Sequence, residues 1–507
     1  MKKILTLALA ALPLAGAAQN GVTNIRIDTD RVIDRIDSMI YGAFMEPIGR
    51  DTEHPIVNNL YGPLYDPSSP RANRDGFNID VIEEIRALNI TNMRWPGGNY
   101  LSSYNWQDGV GPKDRRPVRK DLAWGGFDTN HVGTDEWVAL GRALGVENVA
   151  CINLGLGDIQ NAAYWVEYCN VPRGTYFSDL RVGNGYPEPH NIRIWDLGNE
   201  IDGQPWINGH KNADDYVKTA LEAAKALRNV DRSIRLVANG SSYYEPSGGW
   251  LEWNRKVIGA FTGVADYLSI HRYWGENIPT DHYHFFGEAA MDFEEKITVP
   301  KGMVAQQSWT KPEATPLKLS VDEWAGRGVG INRVLANAMC LNSFIRHADF
   351  VKMANYTMLT GLVSRDAATG NLYRSPHWWM WKLVSGNCRG SSVDVFVDGD
   401  TFDATRFKNI PYLDVTGVLA EDGRTVYVNV VNRHQDSAVT ARIENSAAAA
   451  FTGSARVTTI TGELGVDFTY ADRDRYQPAE RRVNVRGGVL EHSFPAHSFT
   501  QIALTIN

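Results

Sequence analysis

At 507 residues with 43% hydrophobic content, the chain can build one large and one smaller domain, each with its own core. A formal net charge of −8 excludes the basic face that nucleic-acid binding requires. The 15 Trp and 21 Tyr supply flat apolar rings with polar edges, which suit sugar faces as well as cores.

Met1-Lys2-Lys3 leads into the apolar run Ile4 to Leu14 and the small residues Ala15-Gly16-Ala17-Ala18. This is the layout of a secretory signal over residues 1–18, and it predicts export to the periplasm or the extracellular space. No later stretch has the apolar length to span a bilayer, so no membrane partner is expected. Cys151, Cys169, Cys340 and Cys388 lack metal-type spacing, and the first three lie in apolar strand-like or helix-like runs. Buried free thiols are the expected state.

Residues 19–37 alternate apolar and polar side chains in the loose manner of a surface strand, free to pair with something distant in sequence. From Ser38 the pattern becomes apolar runs alternating with helical stretches, the signature of βα units and a parallel sheet. Strands are expected at Ile40–Phe44, Ile90–Arg94, Val149–Leu154, Ile192–Leu197, Arg235–Asn239, Tyr267–His271, Leu317–Val321 and Phe350–Met353. That is the number that closes a barrel. Helical spacing falls between them at Val81–Leu88, Asp135–Leu144, Ile159–Tyr168, Asp214–Leu227, Trp250–Phe261, Met291–Lys296 and Asn332–Ile345. Residues 38–388 thus read as a (β/α)8 TIM barrel. Residues 389–507 alternate as strands, at Val393–Val397, Thr425–Val431, Ala455–Thr458 and Phe499–Leu504. They read as an antiparallel, jelly-roll-like β-sandwich, completed by the N-terminal strand of residues 19–37.

In such a barrel, functional side chains gather just past the strand C-termini. Here the expected strands end in Glu46, Arg94 and Asn99, Asn199-Glu200, His271 with Tyr273, and Glu323-Trp324. Glu200 and Glu323 are two carboxylates at two strand ends. They are the minimum apparatus of a glycosidase, one to protonate the leaving group and the other to attack or to activate water. The competing reading is a structural ion-pair set with Arg94. Trp106, Trp206 and Trp324 are candidate sugar platforms, Trp324 foremost by its adjacency to Glu323. Asp281-His282-Tyr283-His284 hints at a metal site without further ligands at a telling spacing, so neither metal nor cofactor is expected.

The chain resembles glycoside hydrolase family 51, the α-L-arabinofuranosidases. The resemblance rests on Arg94-Trp95-Pro96-Gly97-Gly98-Asn99, Asp108-Gly109-Val110-Gly111-Pro112, Leu122-Ala123-Trp124, Glu167-Tyr168-Cys169-Asn170, Gly198-Asn199-Glu200 with Asp202-Gly203, Asp322-Glu323-Trp324, and Phe344-Ile345-Arg346-His347-Ala348-Asp349, in that order. It implies a retaining mechanism, with Glu200 as acid/base, Glu323 as nucleophile, and Glu46, Arg94, Asn99, Asn199 and Tyr273 as the sugar-binding shell. It also implies arabinose-containing polysaccharides or oligosaccharides as partners, and a homo-oligomer. Two departures bear on substrate: Met358 stands where the family's sugar-binding Gln is expected, and Ala325-Gly326-Arg327-Gly328 is glycine-rich. A β-glycan hydrolase on the same frame is therefore the alternative, with a non-catalytic carbohydrate-binding protein behind it.

Overall fold

The computed structural model describes residues 21–47, 60–62, 64–203, 205, 207–245 and 247–507. The expected signal, residues 1–18, and the candidate platform Trp206 lie outside the described residues.

Eight parallel strands close a barrel: Gly42–Phe44, Asn92–Trp95, Glu147–Cys151, Ile194–Asp196, Arg235–Asn239, Tyr267–Tyr273, Lys318–Ala325 and Val351–Thr357. The ring closes where the eighth strand pairs with the first, Tyr356 opposite Ala43. The first strand is shorter than its apolar run suggests. Asp37 accepts a hydrogen bond from the Met39 amide and caps a 3-10 turn over Ser38–Tyr41, which takes up the start of that run.

Side chains along each strand alternate between the barrel interior and the surrounding helices. Val149, Ile194, Val237, Tyr267 and Met353 form a separate apolar cluster inside the ring. Two residues further along the same five strands stand Cys151, Asp196, Asn239, Ser269 and Asn355, all buried. The interior therefore changes from apolar to polar in a single step of the pleat, toward the C-terminal ends of the strands.

The helices follow the expected register, with Asn78 and Asn212 capping the stretches that begin at Ile79 and Ala213. One differs: the stretch expected to end at Lys296 runs from Ala289 to Thr310 and passes through Pro300. Proline removes one donor from a helix. Burial of Phe293, Ile297, Pro300 and Val304 along the same helix offsets that loss.

The second domain is a nine-stranded sheet. The N-terminal strand, Thr23–Arg35, lies within it, antiparallel to Gly390–Asp398 and parallel to Val439–Asn445. The wholly antiparallel expectation is corrected at that last pair, where the strand arrives from the other end of the chain and no hairpin dictates its direction. Ile25, Ile27, Val430 and Ile502 share one core with Ile443 and Phe494. Strands from both ends of the sheet meet there, so the sheet folds over on itself as a sandwich. It docks on the barrel through Val418, Val431, Ile460 and Phe499, which merge with the barrel's own core. All four cysteines are free and buried. Among the described residues, no helix is long and apolar enough to cross a membrane.

Ile27 is fully buried between two partners distant in sequence. Ile27→Ala is expected to cost about 2–5 kcal/mol of stability, read as a lower midpoint in urea unfolding. An unchanged midpoint would show that the N-terminal strand does not support the sheet.

Candidate active site

The polar layer of the barrel is assembled around Arg94, whose guanidinium is fully buried. Its Nε donates to Asp196 Oδ2 at 2.5 Å, Nη1 to Glu323 Oε1 at 3.0 Å and Nη2 to Asn199 Oδ1 at 2.9 Å. Asp322 Oδ2 lies 3.7 Å from Nε. A buried guanidinium is tolerable only with such partners. Burial pushes the Asp196 carboxyl up to about 7 against the pull of Arg94. Burial also opposes ionisation of Asp322, but there Arg94 and His271 prevail and hold its pKa below the ordinary range.

Glu200 stands on a sharp turn after the fourth strand. Gly198 and Glu200 both have positive φ, 105° and 45°, a conformation that costs a non-glycine residue energy and persists only where the surroundings impose it. Here the Gly198 carbonyl accepts from Cys151 Sγ at 2.9 Å and Asn239 Nδ2 at 3.0 Å, and the Gly203 amide donates to the Glu200 carbonyl at 2.8 Å. Asp202 binds the hydroxyl and amide of Ser242 at 2.6 and 2.7 Å, tying this loop to the one after the fifth strand. Burial raises the Asp202 carboxyl to about 6, against those hydrogen bonds.

His271 links the two carboxylates. Its Nδ1 is 2.9 Å from Glu200 Oε1 and 3.6 Å from Glu323 Oε2, and its Nε2 lies 3.2 Å from Asp322 Oδ1. Burial favours the neutral ring, yet Glu323, Asp322 and Glu200 outweigh it and hold His271 well above its ordinary pKa. Ligand atoms of Glu200, His271 and Glu323 all lie within 4.8 Å of one another. Tyr273 completes the setting of Glu323, donating its hydroxyl to Oε2 at 2.8 Å. Burial, reinforced by the charge of Glu200, raises Glu323 above the usual carboxylate range, against His271, Arg94 and the Tyr273 hydroxyl.

Glu46 approaches from the first strand. Its Oε1 accepts from the Tyr100 amide at 2.9 Å and Trp124 Nε1 at 2.6 Å. Burial and then the charge of Glu323 push its pKa well up. The turn Pro96-Gly97-Gly98 is glycine for a steric reason: a Cβ at Gly98 would lie 2.1 Å from Glu46 Cδ, and one at Gly97 would lie 1.9 Å from the Phe44 ring. Beyond that turn Asn99 is buried with its Oδ1 unpartnered, and Asn199 likewise keeps a free Nδ2. Buried polar atoms left open at a barrel mouth suit a hydroxyl-bearing ligand.

Residues 84–291 match the family model for the α-L-arabinofuranosidase 1 domain, and residues 322–498 match that for the α-L-arabinofuranosidase C-terminal domain. An α-L-arabinofuranosidase C of Emericella nidulans is 31% identical over 507 residues, 94% of this chain and 96% of that one. The chain belongs to glycoside hydrolase family 51, the α-L-arabinofuranosidases. A second family member, the intracellular exo-α-(1→5)-L-arabinofuranosidase 1 of Bacillus subtilis, is 35% identical over 442 residues, 81% of this chain and 84% of that one. The solved structure of the Thermotoga maritima α-L-arabinofuranosidase in complex with arabinose superposes with a TM-score of 0.84 at 28% identity, covering 95% of this chain and 100% of that one.

Against this family frame, the structure brings Glu46, Arg94, Asn99, Asn199, Glu200, Tyr273 and Glu323 to one mouth. Trp324 is a correction. It is fully buried, with its ring stacked on Trp381 at 5.8 Å and edge-on to Phe344 and Tyr356, outside the barrel wall. Adjacency to Glu323 places it on the opposite face of the strand, among the helices, so it offers no sugar platform. Trp106 is also core, its Nε1 donating to the Asn161 carbonyl. The half-buried ring beside Glu46 is instead Trp124, legible in Leu122-Ala123-Trp124. Asp196 was the other residue missed, although a charge inside an apolar strand run demands a partner. Met358 follows the eighth strand directly and is half-buried. Its thioether is at most a weak acceptor and donates nothing, where a Gln would both donate and accept. His282 and His284 bind the Arg433 carbonyl and Asp281 with Thr405, not a cluster of ligands.

Arg94→Met would leave Asp196, Asp322 and Glu323 buried without their shared cation. The expected loss is about 3–5 kcal/mol in unfolding free energy, together with loss of turnover. Full stability would show that these carboxylates are held by other means.

Proposed function

We propose that this chain is a retaining exo-acting hydrolase that releases terminal α-L-arabinofuranosyl residues from arabinan, arabinoxylan or their oligosaccharides, with Glu200 as acid/base and Glu323 as nucleophile. The observation that carries the mechanism is the approach of the Glu200 and Glu323 oxygens within 4.8 Å. Retaining glycosidases hold the two carboxyls about 5–5.5 Å apart, and inverting ones about 6.5–9.5 Å, to admit a water.

Their environments separate their roles. Glu323 is gripped by Arg94 and the Tyr273 hydroxyl, which favour the anion and aim it at the anomeric carbon. Glu200 is more exposed, at the mouth, where a leaving-group oxygen can reach it. Glu323 attacks C1 as the glycosidic bond breaks, and the proton of Glu200 passes to the departing oxygen. Water deprotonated by Glu200 then cleaves the ester, returning Glu323 as the carboxylate and the proton to Glu200. Asn199, with Oδ1 held by Arg94 and Nδ2 free, donates to the sugar's 2-hydroxyl, a contact that strengthens as positive charge develops on the ring. Glu46 and Asn99 take further hydroxyls. Export rests on the signal-like residues 1–18 alone; the Bacillus subtilis relative is named as intracellular.

Initial rates on aryl α-L-arabinofuranoside, β-D-xyloside and β-D-glucoside, with Glu323→Ala as blank, test the substrate. Strong preference for the arabinofuranoside is expected; preference for a β-glycoside would keep the chemistry and overturn the sugar. Glu200→Ala should spare the first step for good leaving groups and lose it for poor ones. Equal loss on both would remove Glu200 from the acid role.

Tyr273→Phe deletes a donor that favours ionised Glu323, so the pKa of Glu323 rises further. Because the nucleophile must be ionised, the acidic limb of kcat/KM moves to higher pH. Activity on the plateau falls roughly 10- to 100-fold, the worth of a hydrogen bond to a charged group. An acidic limb that stays in place would show that Glu323 does not set it.

A further inference from the structure

A cavity of about 590 Å³ lies in the seam between barrel and sheet domain and shares no residue with the site described above. One wall is the face of helix Ala289–Thr310 that carries Met291, Glu294 and Glu295; the other is the sheet, with Val395, Val397 and Leu413. Its volume is that of a small-molecule pocket.

The charges around it are paired, with one exception. Glu294 accepts from Ser343, from Arg346 at 2.7 Å and from His347. Asp414 pairs with Arg346 at 3.0 Å and accepts from Asn342 Nδ2 at 2.7 Å. Glu295 is held by Arg406 at 2.8 Å and Lys296 at 3.0 Å. Arg433 is 3% exposed and lines the same cavity, with its Nε unpartnered. Among the described residues, no carboxylate stands within ion-pair distance of its guanidinium. Burial lowers its pKa to about 10, with Asp414 and Glu294 acting only from a distance. A guanidinium is charged at neutral pH whatever its surroundings. A buried one without a partner is costly unless something anionic meets it.

We propose that this seam is a second binding site, for a small organic carboxylate whose charge meets Arg433 and whose apolar body lies on the sheet wall. The guanidinium fork matches a carboxylate in two parallel hydrogen bonds. Val395, Val397, Phe407, Pro411 and Leu413 give the body its apolar contact. Because Glu294, Glu295 and Asp414 already occupy the other cations around the cavity, Arg433 alone is left to meet an anion, which selects a monoanion over phosphate.

The test titrates benzoate into the full chain by calorimetry, with inorganic phosphate and benzyl alcohol in parallel and with L-arabinose present at saturation. Saturable benzoate binding is expected, undisturbed by arabinose and stronger than that of either control. Arg433→Gln should weaken it roughly 10- to 100-fold. Val397→Glu should weaken it similarly by putting a negative charge on the wall that takes the ligand's apolar body. Both variants should keep the arabinofuranosidase rate of the parent, which also certifies their folding, and Val397→Glu decides alone if Arg433→Gln fails to fold. No saturable binding, displacement by arabinose, equal affinity for phosphate, or unchanged affinity in a folded variant would each overturn the site.

Discussion

The buried guanidinium of Arg94 is the constraint on which the catalytic end of the barrel depends. It meets Asp196, Asn199, Glu323 and Asp322 from the fourth and seventh strands and the loop after the fourth, so one side chain sets the relative position of the groups that must act together. Desolvating that many charges is unfavourable unless each has its partner. The same requirement makes the site rigid: a carboxylate that drifted would leave a buried charge behind. His271 adds a second cation on the far side of Glu323, so the proposed nucleophile is held between two positive groups while burial raises its pKa.

The scaffold delivers these groups by a simple rule. Strand residues two apart share a face, and five strands pass from an apolar interior layer to a polar one in a single such step. Below that step the barrel is an ordinary packed core; above it, every side chain needs a hydrogen bond. Close approach is then secured by the glycines at 97 and 98, which let Phe44 and Glu46 lie against the backbone of the neighbouring turn. Strain at Glu200 is tolerated because the carbonyls and loops around it are tied to the ends of the third and fifth strands.

The aromatic wealth of the chain is spent mostly on architecture. Trp95, Trp137, Trp165, Trp195, Trp324 and Trp381 are all fully buried, between barrel and helices or within loops packed on them. Of the rings near the mouth, Trp124 takes part through its indole N–H on Glu46 and Tyr273 through its hydroxyl on Glu323. Both use the polar edge of the ring, not only its face.

Sequence alone determined the order of eight strands, the separate sheet domain, and the two strand-end carboxylates, because apolar periodicity and the residues that interrupt it are local properties. It determined the resemblance through a set of motifs in fixed order. What it left undecided is what depends on direction and on distant partners. Whether Trp324 faces sugar or helices turns on how the strand is set at an irregularity, since Asp322 and Glu323 both turn to Arg94 and His271 while Trp324 packs among the helices. Asp196 acquires meaning only from Arg94, about a hundred positions away, and His271 only from carboxylates on two other strands. The parallel seat of the N-terminal strand, the helix that survives Pro300 and the unpaired Arg433 in the seam are likewise settled by long-range packing, where the burial that rewards each arrangement comes from residues no local pattern can bring together.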